Sequence, residues 1–378
     1  MRARRLAGLV LVALLAGACS DSSPATPAPT PSPSTPAPTT SPSSAATATA
    51  AATPSPAPIA VLPGEPWIAF QRWTQATGAR LRLIRPDGTG DHEVLPDVAD
   101  EQWHPDWSPD GARLAFERDK GIWIVDVDGQ NARKVASCAS PCRDMGFPAW
   151  SPDGRAIAFN RVDLVDGKNP GSRIQTVDVA TGKVGTLFAT TGAEYASYPR
   201  WSPDGRSLVI ELDRYPDTNN DTSTVIGSAI AVVDLRAKTP TARLLTDWTM
   251  FAAYPAWAPG GDRIVFSTYD LGTRDGGGIT DPVPPSDLYT IRPDGSALTQ
   301  LTHNPRGVDL IRNGTASGPL SSQPTWTPDG TAILFTRVDG EAWPGWTMAT
   351  IRPDGSGAAS ATGAQDLLGT HPRLRPLP

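Results

Sequence analysis

Runs of three adjacent apolar residues recur along the chain, and each is followed by a second short apolar stretch. The runs occupy residues 68–70, 114–116, 157–159, 208–210, 264–266 and 333–335. Adjacent apolar residues without polar alternation are typical of a strand that is covered on both faces. The second stretches occupy residues 81–84, 122–125, 174–177, 230–233, 288–291 and 348–351, and weaker ones follow, as at 94–95 and 298–302. No sustained helical period occurs beyond residue 60, so the pattern predicts repeated all-β units.

A turn motif, Pro-x-Trp-x-Pro-x-Gly, precedes five of the six apolar runs. Its tryptophans are Trp107, Trp150, Trp201, Trp257 and Trp326, spaced by 43, 51, 56 and 69 residues. Within the motif, proline fixes φ at the second turn position and glycine accepts the left-handed conformation that completes a hairpin with a bulge. The spacing matches one four-stranded blade plus loops of variable length.

The two ends of the repeat region complement each other. No motif precedes the run at 68–70, and residues 371–376 match the start of the motif with Leu374 in the tryptophan position. We therefore expect the C-terminal segment to pair with the strand at 68–70 and close a ring, which removes exposed sheet edges. Five complete blades and one composite blade predict an all-β, six-bladed β-propeller.

The repeated Trp-Ser-Pro-Asp-Gly segment, with its following strand and Asp-Gly turn, resembles the repeat of the TolB-type β-propeller family. The resemblance covers residues 64–378, with one departure at Gly260, where the motif has aspartate. It implies the six-bladed fold and a role in binding. TolB itself carries a folded α/β domain before its propeller, whereas a linker occupies that position here. The resemblance therefore implies a relative that uses the propeller without that domain.

The first sixty residues have the layout of an export signal and a tether. Arg2, Arg4 and Arg5 precede an apolar run at 6–18, and small residues lead to Cys19, as in a bacterial lipobox. Residues 20–58 are almost entirely Pro, Ser, Thr and Ala, a composition that favours disorder. We predict a signal peptide (1–18), a lipidated Cys19 with a linker (19–60) and the propeller (61–378), placing the protein at the outer face of the cytoplasmic membrane or in the periplasm. An ordinary signal peptide with an incidental cysteine is the alternative.

The remaining cysteines, Cys138 and Cys142, are four residues apart. Outside the reducing cytoplasm such a pair favours a disulfide, with two free thiols as the alternative. A metal site is disfavoured because no second cysteine pair or nearby histidine completes a ligand set.

Charge narrows the classes of partner. The chain has a net charge of −6, and removing residues 1–18 leaves 30 basic and 39 acidic residues. No basic patch stands out, which argues against nucleic acid. We expect a monomer without a cofactor, in contact with the membrane only through the Cys19 lipid, whose partner is an envelope protein or peptide.

Two sets of positions are candidates for binding. The connections at 138–142, 163–171, 213–227, 268–286 and 303–323 hold nearly all the length variation and belong on one face, the long-loop face. We expect a partner to dock there, mainly over blades four to six, with Tyr215, Tyr269 and Trp343 contributing. Three positions before each tryptophan, or its substitute, stand His104, Phe147, Tyr198, Tyr254, Gln323 and His371. This ring is placed at the mouth of the axial channel, where it would stack on a sugar, grip a peptide, or simply pack.

Metal binding and catalysis have weaker signals. Asp217, Asn219 and Asp221 alternate as in a calcium loop, but the glycine and the bidentate acid of that loop are missing. A peptidase is disfavoured because no Gly-x-Ser-x-Gly elbow is present and the chain stops where the ring closes. A propeller lyase or glycosidase using His104, His371, His303 or a pair of acids stays open. The sequence thus favours a non-enzymatic interaction scaffold, with a sugar or peptide receptor as the alternative.

Overall fold

The structure, a computed structural model, describes residues 61–62, 64–168, 170–216, 225–268, 274–275, 278–279, 286–304, 320–338, 346–360 and 369–376. Within these residues the only helix is a three-residue 3-10 turn at Trp248–Met250. None of the described segments is a helix with the length and apolar character needed to cross a membrane.

Six antiparallel four-stranded sheets, the blades, account for nearly all the described strands. Blade 1 contains β1 (Ile68–Thr74), β2 (Gly78–Ile84) and β3 (His92–Glu93). Blade 2 contains β4 (Trp103–Trp107), β5 (Arg113–Arg118), β6 (Gly121–Asp126) and β7 (Arg133–Ser137). Blade 3 contains β8 (Cys142–Trp150), β9 (Ala156–Asp163), β10 (Ser172–Asp178) and β11 (Val184–Ala189).

The second half of the chain repeats this arrangement. Blade 4 contains β12 (Glu194–Trp201), β13 (Ser207–Arg214), β14 (Gly227–Asp234) and β15 (Ala242–Leu244). Blade 5 contains β16 (Ala252–Trp257), β17 (Ile264–Thr268), β20 (Leu288–Ile291) and β21 (Thr299–Gln300), with a short hairpin of β18 (Arg274–Asp275) and β19 (Gly278–Ile279) inserted. Blade 6 contains β22 (Leu320–Trp326), β23 (Ile333–Val338), β24 (Trp346–Ile351) and β25 (Ala359–Ser360), and β26 (Gly369–Leu374) completes blade 1.

Closure of the ring by the last strand is confirmed. β26 pairs with β1 antiparallel, with Leu374 opposite Ile68, which makes β26 the innermost strand of blade 1. Trp107 of blade 2 donates a hydrogen bond from Nε1 to the Arg373 carbonyl oxygen at 2.9 Å. Arg375 donates from Nε to the Gly111 carbonyl oxygen at 2.8 Å. The two chain ends of the propeller are therefore joined through backbone pairing and through contacts with the next blade.

The core lies between blades. The apolar run in the second strand of each blade is buried, and its aromatic members Phe70, Phe116, Phe159, Phe266 and Phe335 are at most 1% exposed. Residues of adjacent blades share each cluster, as where Ala115 and Ile124 of blade 2 pack with Trp150 and Phe159 of blade 3. Burial on both faces explains why these strands lack polar alternation.

Fourth strands are shorter than the sequence suggested. In blade 1 the strand ends at Glu93, and Val94 and Leu95 follow it as buried core residues. In blade 5 the strand is only Thr299–Gln300. The outer rim of blades 1 and 5 therefore has few backbone pairs, whereas β7 and β11 of blades 2 and 3 are five and six residues long.

The motif turns form one continuous layer, called here the turn face. In each Ser-Pro-Asp-Gly turn the serine Oγ donates to the aspartate Oδ1, as from Ser151 to Asp153 at 2.6 Å. The motif glycines have positive φ, for example 69° at Gly154, as the turn requires. A Cβ at Gly154 would lie 3.8 Å from Cδ of Pro109, and the prolines of the next three turns approach the following motif glycine in the same way.

Candidate functional site

A strained backbone position recurs once in every blade, three residues before the motif tryptophan or its substitute. His104, Phe147, Tyr198, Tyr254, Gln323 and His371 all have φ between 45° and 57°. At each position the innermost strand has a β-bulge, and a proline without an N–H follows. The left-handed conformation is unfavourable for bulky residues, and it persists only where the surroundings enforce it. We call these six residues the axial ring.

At three of these bulges a buried side chain of the preceding blade accepts a hydrogen bond from the freed N–H group. Gln71 Oε1 accepts from His104 N at 2.7 Å, and Glu211 Oε2 accepts from Tyr254 N at 2.9 Å. Gln323 Oε1 accepts from His371 N at 2.8 Å and from Thr336 Oγ1 at 3.2 Å. These bonds offset the strain because a buried N–H without a partner is costly.

The axial ring packs against itself across the axis of the propeller. His104 lies between Phe147 and His371, with ring centroids 4.3 and 4.7 Å away. Tyr198 lies 3.9 Å from Phe147 and 4.7 Å from Tyr254. Blades 1 and 4 face each other across the axis, and Tyr198 Oη lies 3.3 Å from His371 Nε2. Five of the six residues are no more than 7% exposed, so most of the ring is packed against its own members and the surrounding blades.

A charged layer lies two residues closer to the turn face. Arg373 Nε is 3.7 Å from Asp106 Oδ1, and Arg200 donates from Nη1 to the Pro148 carbonyl oxygen at 3.0 Å. Burial raises the pKa of Asp106, against the attraction of Arg200 and Arg373. Burial also lowers the pKa of Arg373 to about 9. Two guanidinium groups and one carboxylate thus share the axis beneath the ring.

Two members of the ring, His371 and Tyr198, have pKa values shifted away from neutral pH. Burial lowers the pKa of His371 well below its usual value, and the charges of His104, Arg373 and Arg200 act in the same direction. Burial raises the pKa of Tyr198 well above its usual value. At neutral pH both side chains are therefore uncharged, and they contribute hydrogen bonds and packing. His104 Nδ1 is 3.1 Å from Glu117 Oε2, which holds that imidazole in place.

A second cluster lies towards the long-loop face in blade 4. Tyr215 packs against Tyr195 with ring centroids 4.6 Å apart. Asp213 is opposite Tyr195 in the sheet, and burial raises the pKa of Asp213 to about 7. Burial raises the pKa of Tyr215 as well, followed by the charge of Asp213. This pair of aromatic rings beside an acid is the described part of the predicted loop cluster.

The structure brings some of the predicted site residues together and separates others. His104, Tyr198, Tyr254 and His371 form one cluster, and Tyr215 lies in the other. Burial of Asp287 raises its pKa, and His303 is among the groups that oppose this effect, so His303 lies in blade 5 near Asp287. Cys19, Asp217, Asn219, Asp221, Tyr269 and Trp343 fall outside the described residues. Among those described, no group of three His, Cys, Asp or Glu side chains is arranged to hold a metal ion.

A disulfide joins Cys138 and Cys142, whose Cα atoms are 5.1 Å apart. It lies in the connection between β7 of blade 2 and β8 of blade 3. Both residues pack against the core cluster shared by these blades. The bond therefore fixes one interblade connection on the long-loop face.

The polar residues behind the axial ring were missed at the sequence level, although a signal was present. Each apolar run is followed directly by one polar residue: Gln71, Glu117, Asn160, Glu211, Ser267 and Thr336. All six are at most 8% exposed. A polar residue at one fixed position of a doubly covered strand needs a partner. For Gln71 and Glu211 that partner is the bulged N–H of the next blade, and for Thr336 it is Gln323 Oε1.

Comparison with known proteins gives partial matches in sequence. No family model matches the chain. An uncharacterized peptidase, YuxL of Bacillus subtilis, is 28% identical over 180 residues, which are 44% of this chain and 25% of the peptidase. The chain therefore aligns with about a quarter of that protein's length.

Solved structures share the fold. TolB from Acinetobacter baumannii has a TM-score of 0.57 at 17% identity, covering 82% of this chain and 66% of that one. A putative TolB from Agrobacterium tumefaciens has a TM-score of 0.51 at 18% identity, covering 81% and 91%. Together with the six blades and the closing strand, these likenesses identify the chain as a six-bladed propeller of the TolB fold.

Proposed function

We propose that this protein is a cell-envelope lipoprotein that presents its propeller as a protein-interaction scaffold without catalytic activity. The observation that carries the proposal is the axial ring. Its described side chains pack against each other, five of the six are largely buried, and Tyr198 lies within hydrogen-bond distance of His371, which disfavours this ring as an open ligand site. Recognition then depends on the faces, as expected for a scaffold.

The long-loop face is the proposed docking surface. Two apolar side chains are exposed there, Val165 at 46% and Ile226 at 51%, in the connections between the second and third strands of blades 3 and 4. The disulfide fixes the neighbouring connection. An apolar surface on a rigid frame favours a protein partner.

Site-specific photocrosslinking in cells tests this surface. A photoreactive residue at Val165 or Ile226 should give one adduct of the same mass. Val184 and Leu244 are matched controls, because they are 44% and 41% exposed but lie in the outer strands β11 and β15. Equal crosslinking from the controls would contradict docking on the long-loop face.

Lipid anchoring is tested separately with Cys19→Ser. We expect the wild-type chain to incorporate a labelled fatty acid and to sediment with membranes, and the variant to do neither. A variant that still sediments with membranes and still carries label would remove the lipoprotein part of the proposal, while leaving the scaffold untouched.

A receptor for a sugar or peptide is the second candidate, favoured by the Tyr195 and Tyr215 rings beside Asp213. Aromatic faces next to an acid suit stacking on a sugar with hydrogen bonds to its hydroxyls. A glycan and peptide array should then show a ligand whose binding is lost in Tyr215→Leu. Array binding that persists in this variant would exclude the Tyr215 cluster as the site.

A further inference from the structure

A cavity of about 450 Å³ opens on the turn face between blades 3 and 4. Two successive motif turns line it, with Ser151, Pro152 and Asp153 from one and Pro203, Asp204 and Gly205 from the other. Trp201 and Ala156 form the rest of the lining. We call this cavity the Trp201 seat. It lies on the opposite face from the long loops, so it is independent of the docking surface proposed above.

The neighbouring interface, between blades 2 and 3, shows what fills such a seat. There the guanidinium of Arg113 lies over the ring of Trp150, with Cζ 4.9 Å from the centroid. Arg113 and Ala156 are equivalent, since each begins the second strand of its blade, one residue before the partner of the motif tryptophan. The chain therefore places an arginine on the tryptophan at one interface and an alanine at the next.

The closing interface repeats the arginine arrangement by another route. Arg375 lies over Trp107, with Cζ 5.6 Å from the ring centroid. It comes from the C-terminal segment and not from a second strand. Two consecutive turn-face tryptophans are thus covered by guanidinium groups of the same chain, whereas the equivalent residues at Trp201 and Trp257 are small, Ala156 and Ser207.

The seat places two carboxylates beside an indole, with Arg155 acting on Asp153 and Arg206 and Arg236 acting on Asp204 from outside the lining. Asp153 Oδ1 and Asp204 Oδ1 each accept from the serine of their own turn at 2.6 Å. These hydrogen bonds lower the pKa of both carboxyl groups, so both are ionised at neutral pH. The turns use Oδ1, and Oδ2 of each carboxylate remains able to accept from a ligand. A planar guanidinium can stack on an indole while donating at its edges to such oxygens.

The other motif positions lack this combination. At Trp257 the equivalent of Ala156 is Ser207, but Gly260 replaces the second aspartate. At Trp326 the equivalent residue is Arg263, and the composite blade has Leu374 instead of a tryptophan. Among the motif positions, an indole, a small neighbour and two aspartates coincide at Trp201.

We propose that the Trp201 seat binds an arginine side chain of a protein partner, which takes the place that Arg113 takes on Trp150. An arginine fits better than a lysine because the seat offers a flat face between two acceptors, and a guanidinium matches both. A peptide-borne arginine fits better than the free amino acid, because Arg113 fills the equivalent place as part of a polypeptide and the free amino acid would also have to desolvate its α-ammonium and α-carboxylate groups.

The test follows the indole N–H resonance of Trp201 in the ¹⁵N-labelled full chain, assigned with Trp201→Phe. N-acetyl-arginine amide should shift this resonance saturably. The citrulline counterpart has the same shape without the charge. It should bind at least about tenfold more weakly, because it cannot make the cation–π contact with the indole. Free arginine should also bind more weakly than the blocked amide.

A pair of reciprocal variants supplies the control. Ala156→Arg should fill the seat from within the chain and abolish the response at Trp201. Arg113→Ala should open a second seat at Trp150, between Asp110 and Asp153, so that the Trp150 resonance begins to respond. Should Ala156→Arg not fold, the gain of response in Arg113→Ala decides the question.

Three results would overturn the proposal. The first is an unresponsive Trp201 resonance at saturating probe, and the second is equal binding of the citrulline compound. The third is a response that survives in Ala156→Arg or fails to appear at Trp150 in Arg113→Ala. Tighter binding of free arginine than of the blocked amide would show a site for the amino acid itself, and the protein-partner assignment would be wrong.

Discussion

The turn face and the axial ring are built from the same repeat but differ in chemistry. The turn face uses nearly the same Trp-Ser-Pro-Asp-Gly residues in five blades, whereas the axial ring has His, Phe, Tyr, Tyr, Gln and His at one equivalent position. Each turn meets only its two neighbours, so one solution can be repeated. Six axial side chains compete for a single volume, and six identical large residues cannot all fit. Repetition is possible where contacts are local and fails where all blades meet.

This difference predicts how the two regions respond to substitution. Axial residues share partners across blades, so the changes in unfolding free energy caused by two axial substitutions should be coupled. The changes caused by substitutions in separate turns should be additive. The largest effect on stability is expected at the ring closure and the smallest on the turn face.

Removal of the closing strand should have the largest effect. A chain that ends before Gly369 lacks β26, and with it the pairing to Ile68 and the bonds from Trp107 and Arg375. Blade 1 then exposes a buried strand edge and the axis loses His371. We expect loss of cooperative thermal unfolding by circular dichroism. A chain ending after Pro376 is the control and should unfold cooperatively; a cooperative transition in the shorter chain would show that the ring does not depend on this strand.

Asp213→Asn should change the pH dependence of stability near the long-loop face. The folded-state pKa of Asp213 is raised to about 7, above an unfolded value near 3.9. The folded state therefore takes up the proton first, and acidification from pH 7 towards pH 4 stabilises it by up to about 1.4 kcal/mol per pH unit. In urea unfolding, the unfolding free energy of the wild type should increase relative to that of the variant as pH falls. A constant difference between them would contradict the burial of this carboxyl group.

Glu211→Ala should destabilise the axial region by about 1–3 kcal/mol, because it leaves the buried Tyr254 N–H without its acceptor. Glu211→Gln retains an acceptor and should lose less. Asn160→Ala is the matched control in blade 3, since Asn160 Oδ1 accepts no hydrogen bond from the described residues. Urea unfolding that ranks Asn160→Ala equal to Glu211→Ala would show that burial, and not capture of the bulged N–H, sets the cost.

His371→Gln should alter the acid sensitivity of the ring in the direction opposite to Asp213→Asn. The unfolded chain protonates His371 near pH 6.5, whereas burial keeps the folded residue neutral, so stability is lost as pH falls below 6.5. Glutamine already occupies the equivalent position at Gln323 with φ of 56°. The variant should therefore fold and lose less stability than the wild type between pH 6.5 and 5. A steeper loss in the variant would contradict a neutral His371.

Arg113→Ala should have the smallest effect on stability, about 0.5–1 kcal/mol, from loss of the guanidinium over Trp150. Combined with Glu211→Ala, its cost should simply add, since the two positions belong to different blades and share no partner. Thermal unfolding of the double variant checks this, and a strong coupling would show that the turn face and the axis do not respond separately.

Much of the fold could be predicted from local patterns. The apolar runs identified the buried second strands, the motif identified the hairpin turns, and the match at residues 371–376 identified the closing strand, which the pairing of Leu374 with Ile68 confirms. These features depend on contacts between neighbours in the sequence or on a repeat that can be counted. The bounds of the fourth strands were predicted less accurately, because residues on the outer rim pack little and have a weak apolar pattern.

The candidate site could be predicted only in part. Counting back from each tryptophan gave the axial ring, but not the left-handed backbone, the capture of the freed N–H groups or the burial that fills the axis. Asp106, Arg200 and Arg373 were missed, since a charged residue in a strand gives no sign that it faces two other charges across the axis.

The sequence by itself determined the number of blades, the geometry of each turn and the order in which the ring closes, because those properties are set by short segments that repeat. Only the tertiary structure decided which side chains meet at the axis and which motif tryptophans, Trp107 and Trp150, lie under a guanidinium. Those contacts join residues from different blades, and their distances depend on how the blades are arranged around one axis.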